Sequence, residues 1–136
     1  MEETFVIIKP DAVAAGHAED IKQTISDAGL GKGWCLVWHT LELFRATVEL
    51  HYAEHQGKPF YRDLCEFMTS GPSMYAVVPG EDVVRRMRAL VGATDPAKAA
   101  PGTIRARFGT AVNRNAIHAS DSVTSAEREI ALFFPA

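Results

Sequence analysis

Cysteine is scarce in this chain. Cys35 and Cys65 lie 30 positions apart and form no CxxC, which leaves no disulfide framework and reads as free thiols in a reducing compartment. Long apolar runs are missing, since nothing approaches the roughly 18 residues of a membrane span. Excess positive charge is missing too: the net charge of −3 argues against coating nucleic acid through bulk charge. The opening Met1-Glu2-Glu3-Thr4 is acidic and matches neither a signal nor a transit peptide. There are no internal repeats, low-complexity tracts or linker-like stretches, and neither GxxxxGK[ST] nor GxGxxG occurs. What remains is 136 residues, 47% hydrophobic and 23% charged, the range of an ordinary globular protein. The expectation is one domain over residues 1–136 in the cytoplasm, with no membrane partner and no nucleic acid as main partner. A chain this long buries about two-thirds of the surface it exposes when unfolded.

The average charge hides an asymmetry. Seven of the 14 basic residues (Arg85, Arg86, Arg88, Lys98, Arg105, Arg107 and Arg114) fall between positions 85 and 114, where only Asp95 is acidic, giving 7 − 1 = +6 locally. Six are arginine, whose planar fork suits phosphate or carboxylate oxygens. Gly92, Pro96, Pro101, Gly102 and Gly109 interrupt regular structure there, so the cluster is expected on or beside a long loop, as an anion site. A solvated charged face is the alternative for any single arginine.

Hydrophobic spacing predicts the elements. Thr4–Ile8 reads as a buried strand ended by Lys9-Pro10-Asp11. Ile21, Ile25 and Ala28 mark a helix closed at Gly29. Trp34–Leu43 reads as a second strand, and Thr47–His55 as a helix with Thr47 as N-cap. Phe60, Leu64, Phe67 and Met68 share one face of another helix. Met74–Val78 is a third strand, Val83–Val91 a helix closed by Gly92, and Ala116–Ala119 a short fourth strand. Thr124-Ser125-Ala126-Glu127 opens the last helix as a capping box. Four strands with helices in irregular alternation fit an α+β sandwich, helices packed on a small sheet.

Two histidine features compete. His51-Tyr52-Ala53-Glu54-His55 matches HxxEH, and on a helix its two rings would share a face ready for zinc; a pattern with three fixed positions arises often by chance and leaves the third ligand unspecified, so a partly exposed helix is the favoured reading. Asn115-Ala116-Ile117-His118-Ala119-Ser120-Asp121-Ser122 places a histidine between the basic segment and a capped helix. Histidine is an uncharged nucleophile near neutral pH, and Glu129, one to two turns into the next helix, can return to orient its ring. A core histidine satisfied by Ser120 or Ser122 is the alternative, and spacing leaves both open.

Those eight residues closely resemble the Nx₂HxSDS signature of the nucleoside diphosphate kinases. Ile8-Lys9-Pro10-Asp11, His51-Tyr52, Lys58-Pro59-Phe60, Ser70-Gly71-Pro72, Gly92-Ala93-Thr94-Asp95-Pro96, Pro101-Gly102-Thr103-Ile104-Arg105 and Ser125-Ala126-Glu127-Arg128-Glu129-Ile130 are similar to further family blocks, in family order. The resemblance covers roughly Thr4 to Pro135. It implies a ferredoxin-like sandwich with a four-stranded antiparallel sheet. It also implies a ping-pong reaction in which a nucleoside triphosphate such as ATP or GTP phosphorylates His118 and a nucleoside diphosphate takes the group away. Lys9, Tyr52 and Glu129 are the implied catalytic partners of His118. Lys9, Arg88, Thr94, Arg105 and Asn115 match positions that hold phosphates and ribose, while Phe60, Val112 and Leu64 match the base slot, where stacking gives broad base tolerance. Mg²⁺ is implied on the nucleotide phosphates, with no protein metal ligand. A homo-oligomer is implied, a hexamer ahead of a tetramer.

The chain departs from the family pattern in places. Ala12 and Ala15 stand where glycine and arginine are usual, the latter bearing on assembly. Ala119 replaces glycine beside the histidine. Ala106-Arg107 replaces Gly-Asp, expected either to strengthen anion attraction or to alter loop packing. The Gly29–Trp38 stretch fits the family poorly and is slightly long. The intact His118, Lys9, Arg105 and Glu129 set the enzyme reading ahead of a binding or regulatory protein on the same fold.

Overall fold

The computed structural model describes residues 2–32 and 36–134, with the side chain of Leu41 outside that description. Four strands, β1 (Glu2–Ile8), β2 (His39–Glu42), β3 (Pro72–Gly80) and β4 (Ile117–Ala119), form one sheet in the order β2-β3-β1-β4. Every pairing is antiparallel. Among the described residues seven α-helices accompany it: α1 (Pro10–Ala14), α2 (Ala18–Asp27), α3 (Arg45–His51), α4 (Tyr61–Met68), α5 (Val83–Val91), α6 (Ile104–Phe108) and α7 (Val123–Phe133). This is the ferredoxin-like α+β sandwich that the resemblance implied.

The central strand explains the two-sided core. Side chains alternate along a strand, so Val6 and Ile8 face one way and Phe5 and Ile7 the other. The first face packs Ile21 and Ile25 of α2, Val83, Met87 and Val91 of α5, and Ile104 of α6. The second packs Val48 of α3, Cys65, Phe67 and Met68 of α4, and Phe133 of α7. Phe5 meets the Phe133 ring edge-on at 4.8 Å, the geometry aromatic quadrupoles favour. The same alternation in β4 sends Ile117 and Ala119 into the first core and turns His118 toward α3 and α7. The sheet register seats His118 opposite Ile7.

Local chemistry sets several helix ends. α2 closes with Gly29 at φ +76°, and Leu30 N–H bonds the Ile25 carbonyl while Gly29 N–H bonds that of Ser26, a Schellman closure that buries Leu30. At the end of α5, Gly92 has φ +91°, and a Cβ there would lie 2.6 Å from Thr103 Oγ1. No side chain fits that corner.

The structure corrects the element reading in specific ways. The helix expected over Thr47–His55 starts at Arg45 with Phe44 as its uncapped N-terminus and stops at His51, followed by a single 3₁₀ turn at Ala53–His55; Thr47 caps nothing. Phe60 precedes α4 rather than sharing its buried face. The cap of α7 is Ser122, whose hydroxyl accepts from Ser125 N–H, so the Thr124 capping box is displaced by two residues. α1 and α6 are too short to show periodicity, though Pro10 at the first position and Thr103 as a true N-cap start them properly. The strand expected from Trp34 is seen as His39–Glu42; Trp34 and Cys35 lie outside the described residues. Cys65 is free and buried.

Ile25 is fully buried where α2 meets the sheet. Replacing it with alanine is expected to cost about 2–5 kcal/mol, read as a lowered urea midpoint with unchanged m-value.

Candidate functional site

β4 and α7 bring His118 and Glu129 together. His118 Nε2 lies 3.0 Å from Glu129 Oε1, and Ser120 Oγ donates to that same oxygen at 2.7 Å. Ser120 is itself fixed to β1, its Oγ accepting from Phe5 N–H at 3.0 Å. Glu129 is 4% exposed, so its carboxylate belongs to the interior and is oriented before any ligand arrives. A carboxylate can only accept from the ring, so Nε2 carries the proton and Nδ1 keeps its lone pair.

Around this pair opens a cleft of about 400 Å³, lined among others by His118, Glu129, Tyr52, Arg88, Thr94 and Arg105. Six of the residues singled out in the sequence therefore meet in one place. Arg105 is 7% exposed and spends its fork on carbonyls, Nη1 on Gly92 and Nη2 on Ile117, leaving Nε buried with no partner. Burial first, then the nearby Arg88, lowers its pKa to about 10. The Tyr52 hydroxyl is likewise buried and unpartnered, and its pKa is raised, by burial first and then by Glu129.

Lys9 and Asn115 are buried rather than at the cleft's surface. Lys9 Nζ donates to Asn115 Oδ1 at 2.9 Å, and Asn115 Nδ2 donates to the Thr94 carbonyl at 3.1 Å. This chain ties the lysine to the loop that carries Thr94. Desolvation, then Arg105, lowers the Lys9 pKa to about 8. Among the described residues neither Lys9 nor Arg105 has an acidic partner within ion-pair distance. Asp11 offsets part of the Lys9 charge from beyond ion-pair distance; two buried cations without a paired carboxylate remain costly, and an anionic ligand is the natural compensation.

The backbone between these groups is held under strain. Ala116 has φ +77° and Ile117 N–H bonds the Asn115 carbonyl across it at 3.0 Å, a γ-turn of the positive-φ kind, which is rare and strained. Asp11 Oδ2 accepts from Ala116 N–H, and Lys9 N–H bonds the Ala116 carbonyl, so the Lys-Pro-Asp segment clamps the residue two before the histidine. Spacing alone gave no sign of this contact across 105 positions.

Phe60 and Val112 stand apart from the cleft lining as exposed apolar side chains, at 47% and 56%. Leu64 is half-buried against the second core. The +6 segment is not one patch. Arg88 and Arg105 line the cleft, Arg85 pairs with Asp82, and Arg114 stacks 3.9 Å over Phe67. Arg107 donates to Thr24 Oγ1 at 3.0 Å and lies over the Phe108 ring, so of the two expectations for it, altered packing is the one the contacts support. The long loop also contains α6 and a 3₁₀ turn at Pro96–Lys98. Ala119 is buried in the first core cluster. The HxxEH geometry fails, because the α-helix ends at His51 and the donor atoms that converge among the described residues are those of His51, His118 and Glu129, without His55.

The nucleoside diphosphate kinase family model matches residues 2–136. The chain belongs to the nucleoside diphosphate kinase family. A nucleoside diphosphate kinase of Streptomyces avermitilis is 50% identical over 135 residues, covering 98% of this chain and 96% of its own. One from Archaeoglobus fulgidus is 48% identical over 98% and 87%. Among solved structures, the halophilic nucleoside diphosphate kinase of Halobacterium salinarum in complex with CDP superposes with TM-score 0.92 at 43% identity, covering 99% of this chain and 88% of that one. The apo enzyme of Encephalitozoon cuniculi gives 0.93 at 36% identity, over 100% and 90%. The protein is thus an enzyme, a nucleoside-diphosphate kinase acting on nucleotides, and its family needs a divalent cation. Among the described residues no helix of this kinase is long and apolar enough to cross a membrane.

Lys9 yields a prediction with a definite sign. Its folded pKa of about 8 lies below its ordinary 10.5, so between those values the folded kinase binds fewer protons than the unfolded chain, and this residue makes stability rise with pH. Below pH 8 the buried charge is a burden. Lys9→Met is expected to be more stable than wild type by the order of 1–3 kcal/mol at pH 7, a difference that shrinks by pH 10, measured by urea denaturation.

Proposed function

We propose that His118 is the nucleophile of a ping-pong phosphoryl transfer. The observation that carries this reading is the Ser120–Glu129–His118 chain facing a cleft lined by Arg88 and the buried Arg105. In the first half-reaction the Nδ1 lone pair attacks the γ-phosphorus, the bond to the β,γ-bridging oxygen breaks, and a nucleoside diphosphate leaves. The imidazolium that forms keeps its Nε2 proton on Glu129. In the second half a terminal oxygen of the acceptor diphosphate attacks the same phosphorus, the N–P bond breaks, and the lone pair returns to Nδ1. Little covalent chemistry is needed beyond the nucleophile; position and charge neutralisation do the rest.

Each remaining residue has a role in this scheme. Arg88 and Arg105 take the phosphate oxygens, with the unpartnered Arg105 Nε as an additional donor. Tyr52, with its phenol kept protonated, donates a hydrogen bond beside the nucleophile. Lys9, charged below pH 8, lends its field from behind, and Asn115 and Thr94 hold the sugar-phosphate end. Phe60 and Val112 sandwich the base with Leu64 beside them. None of the three can hydrogen-bond to a base edge through its side chain, which supports broad base tolerance. Asp121 at the cleft, its carboxyl held below the usual range first by the Ser125 hydroxyl, is the ionised oxygen donor that would meet a hydrated Mg²⁺ carried in by the nucleotide, and the cation would offset phosphate charge there. The reaction is placed in the cytoplasm. A homo-oligomer is supported by β2 as a sheet edge and by the exposed Phe44 and Leu50; the preference for a hexamer over a tetramer rests on the family resemblance alone.

Incubation with ATP and Mg²⁺ is expected to add one acid-labile phosphoryl group to the intact mass, absent in His118→Ala and discharged by any added nucleoside diphosphate. An unmodified wild-type protein overturns the reading. Glu129→Gln is expected to lower kcat by about 10²–10⁴-fold with a smaller change in KM, measured by steady-state kinetics.

A further inference from the structure

The phosphoryl-transfer scheme leaves one buried group idle. His51, the last residue of α3, is 3% exposed, and its Nδ1 has no hydrogen-bond partner. Its ring meets that of His118 edge-on, with centroids 4.7 Å apart. One donor atom each from His51, His118 and Glu129 lies within 4.8 Å of the other two. Two imidazoles and a carboxylate with a free fourth position form a donor set suited to Zn²⁺. The His118–Glu129 separation of 3.0 Å is already close to the roughly 3.4 Å edge of a tetrahedron with bonds of about 2.1 Å, so a small approach of His51 completes three ligands.

We propose that His51, His118 and Glu129 form an inhibitory site for Zn²⁺ or a similar imidazole-seeking dication. The metal inserts between His118 Nε2 and Glu129, where a proton now sits. That proton leaves Nε2 and the neutral ring takes one up at Nδ1, so the ring's proton count is unchanged. Nδ1, the nitrogen whose lone pair attacks phosphorus, is then blocked. The metal thus switches the nucleophile off through its tautomer without filling the phosphate sites. Mg²⁺, which prefers oxygen, does not compete for this nitrogen set. His51 stays available, because its Nδ1 has no hydrogen-bond partner, so no protein donor contests that lone pair. His51, His118 and Glu129 all line the cleft, so the metal enters without opening the core. The loss of activity rests on the phosphohistidine reading; the binding itself does not.

The test uses chelator-stripped, nucleotide-free protein and the metal alone. Calorimetric titration with Zn²⁺ is expected to give one ion per chain, and Co²⁺ in its place to give the visible absorption of a four-coordinate site. His51→Gln and Glu129→Gln are each expected to weaken binding about tenfold or more. Absence of stoichiometric binding at millimolar metal, or binding unchanged in both variants, overturns the site. A measurement on the wild type needs no variant to fold. Zn²⁺ is expected to slow carbethoxylation of His118 at least tenfold, by peptide mapping, while leaving His17 unaffected; full reactivity of His118 with metal bound overturns the site. None of these readouts involves nucleotide, so the metal site and phosphoenzyme formation succeed or fail separately.

Discussion

One hydrogen-bonded node holds the chemistry of this protein in place: the Glu129 carboxylate, accepting from Ser120 Oγ while facing His118 Nε2. It joins three elements. Ser120 ties it to β1 through Phe5, His118 belongs to β4, and Glu129 to α7. An interior carboxylate must have its lone pairs satisfied, so the same bonds that let α7 pack also decide which nitrogen of the histidine is protonated. The orientation is built into the fold and need not be assembled when substrate arrives.

A second constraint works against stability. Lys9 and Arg105 are interior cations whose polar contacts are neutral carbonyls and an amide. Desolvation depresses both pKa values, which measures how poorly the empty site tolerates them. Ala116 is strained between them. Cations without an ion-pair partner and a strained backbone two residues from His118 are what a preorganised anion site carries, and here they are borne by a sheet whose central strand is buried on both faces.

Much of this was legible in the sequence. The β-branched Thr4–Ile8 run, the Val83–Val91 helix and its closing Gly92 follow directly from local pattern, and the ordered family blocks named the residues that meet in the cleft. Legibility ended where tertiary contacts decide. Phe60 fits the period of α4 but lies outside it, since periodicity cannot tell a helix's first buried turn from the residue before it. HxxEH assumed a continuous helix, whereas α3 ends at His51 and turns that ring inward. The +6 segment dispersed because its arginines found separate neighbours: Asp82 for Arg85, the Glu81 carbonyl for Arg86, Thr24 for Arg107, Phe67 for Arg114, and the cleft for Arg88 and Arg105. The Asp11–Ala116 clamp and the convergence of His51 on His118 are contacts between distant segments and left no mark in spacing.

In the proposed mechanism Glu129 fixes the Nε2–H tautomer of His118, and the ring reacts through Nδ1. The direct measurement is ¹⁵N NMR of protein labelled in histidine, before and after phosphorylation by ATP. The expected result is a protonated Nε2 and an unprotonated Nδ1 in the free protein, with phosphorus coupled to Nδ1 in the phosphoenzyme. A proton on Nδ1 at rest, or phosphorus bound to Nε2, contradicts the claim.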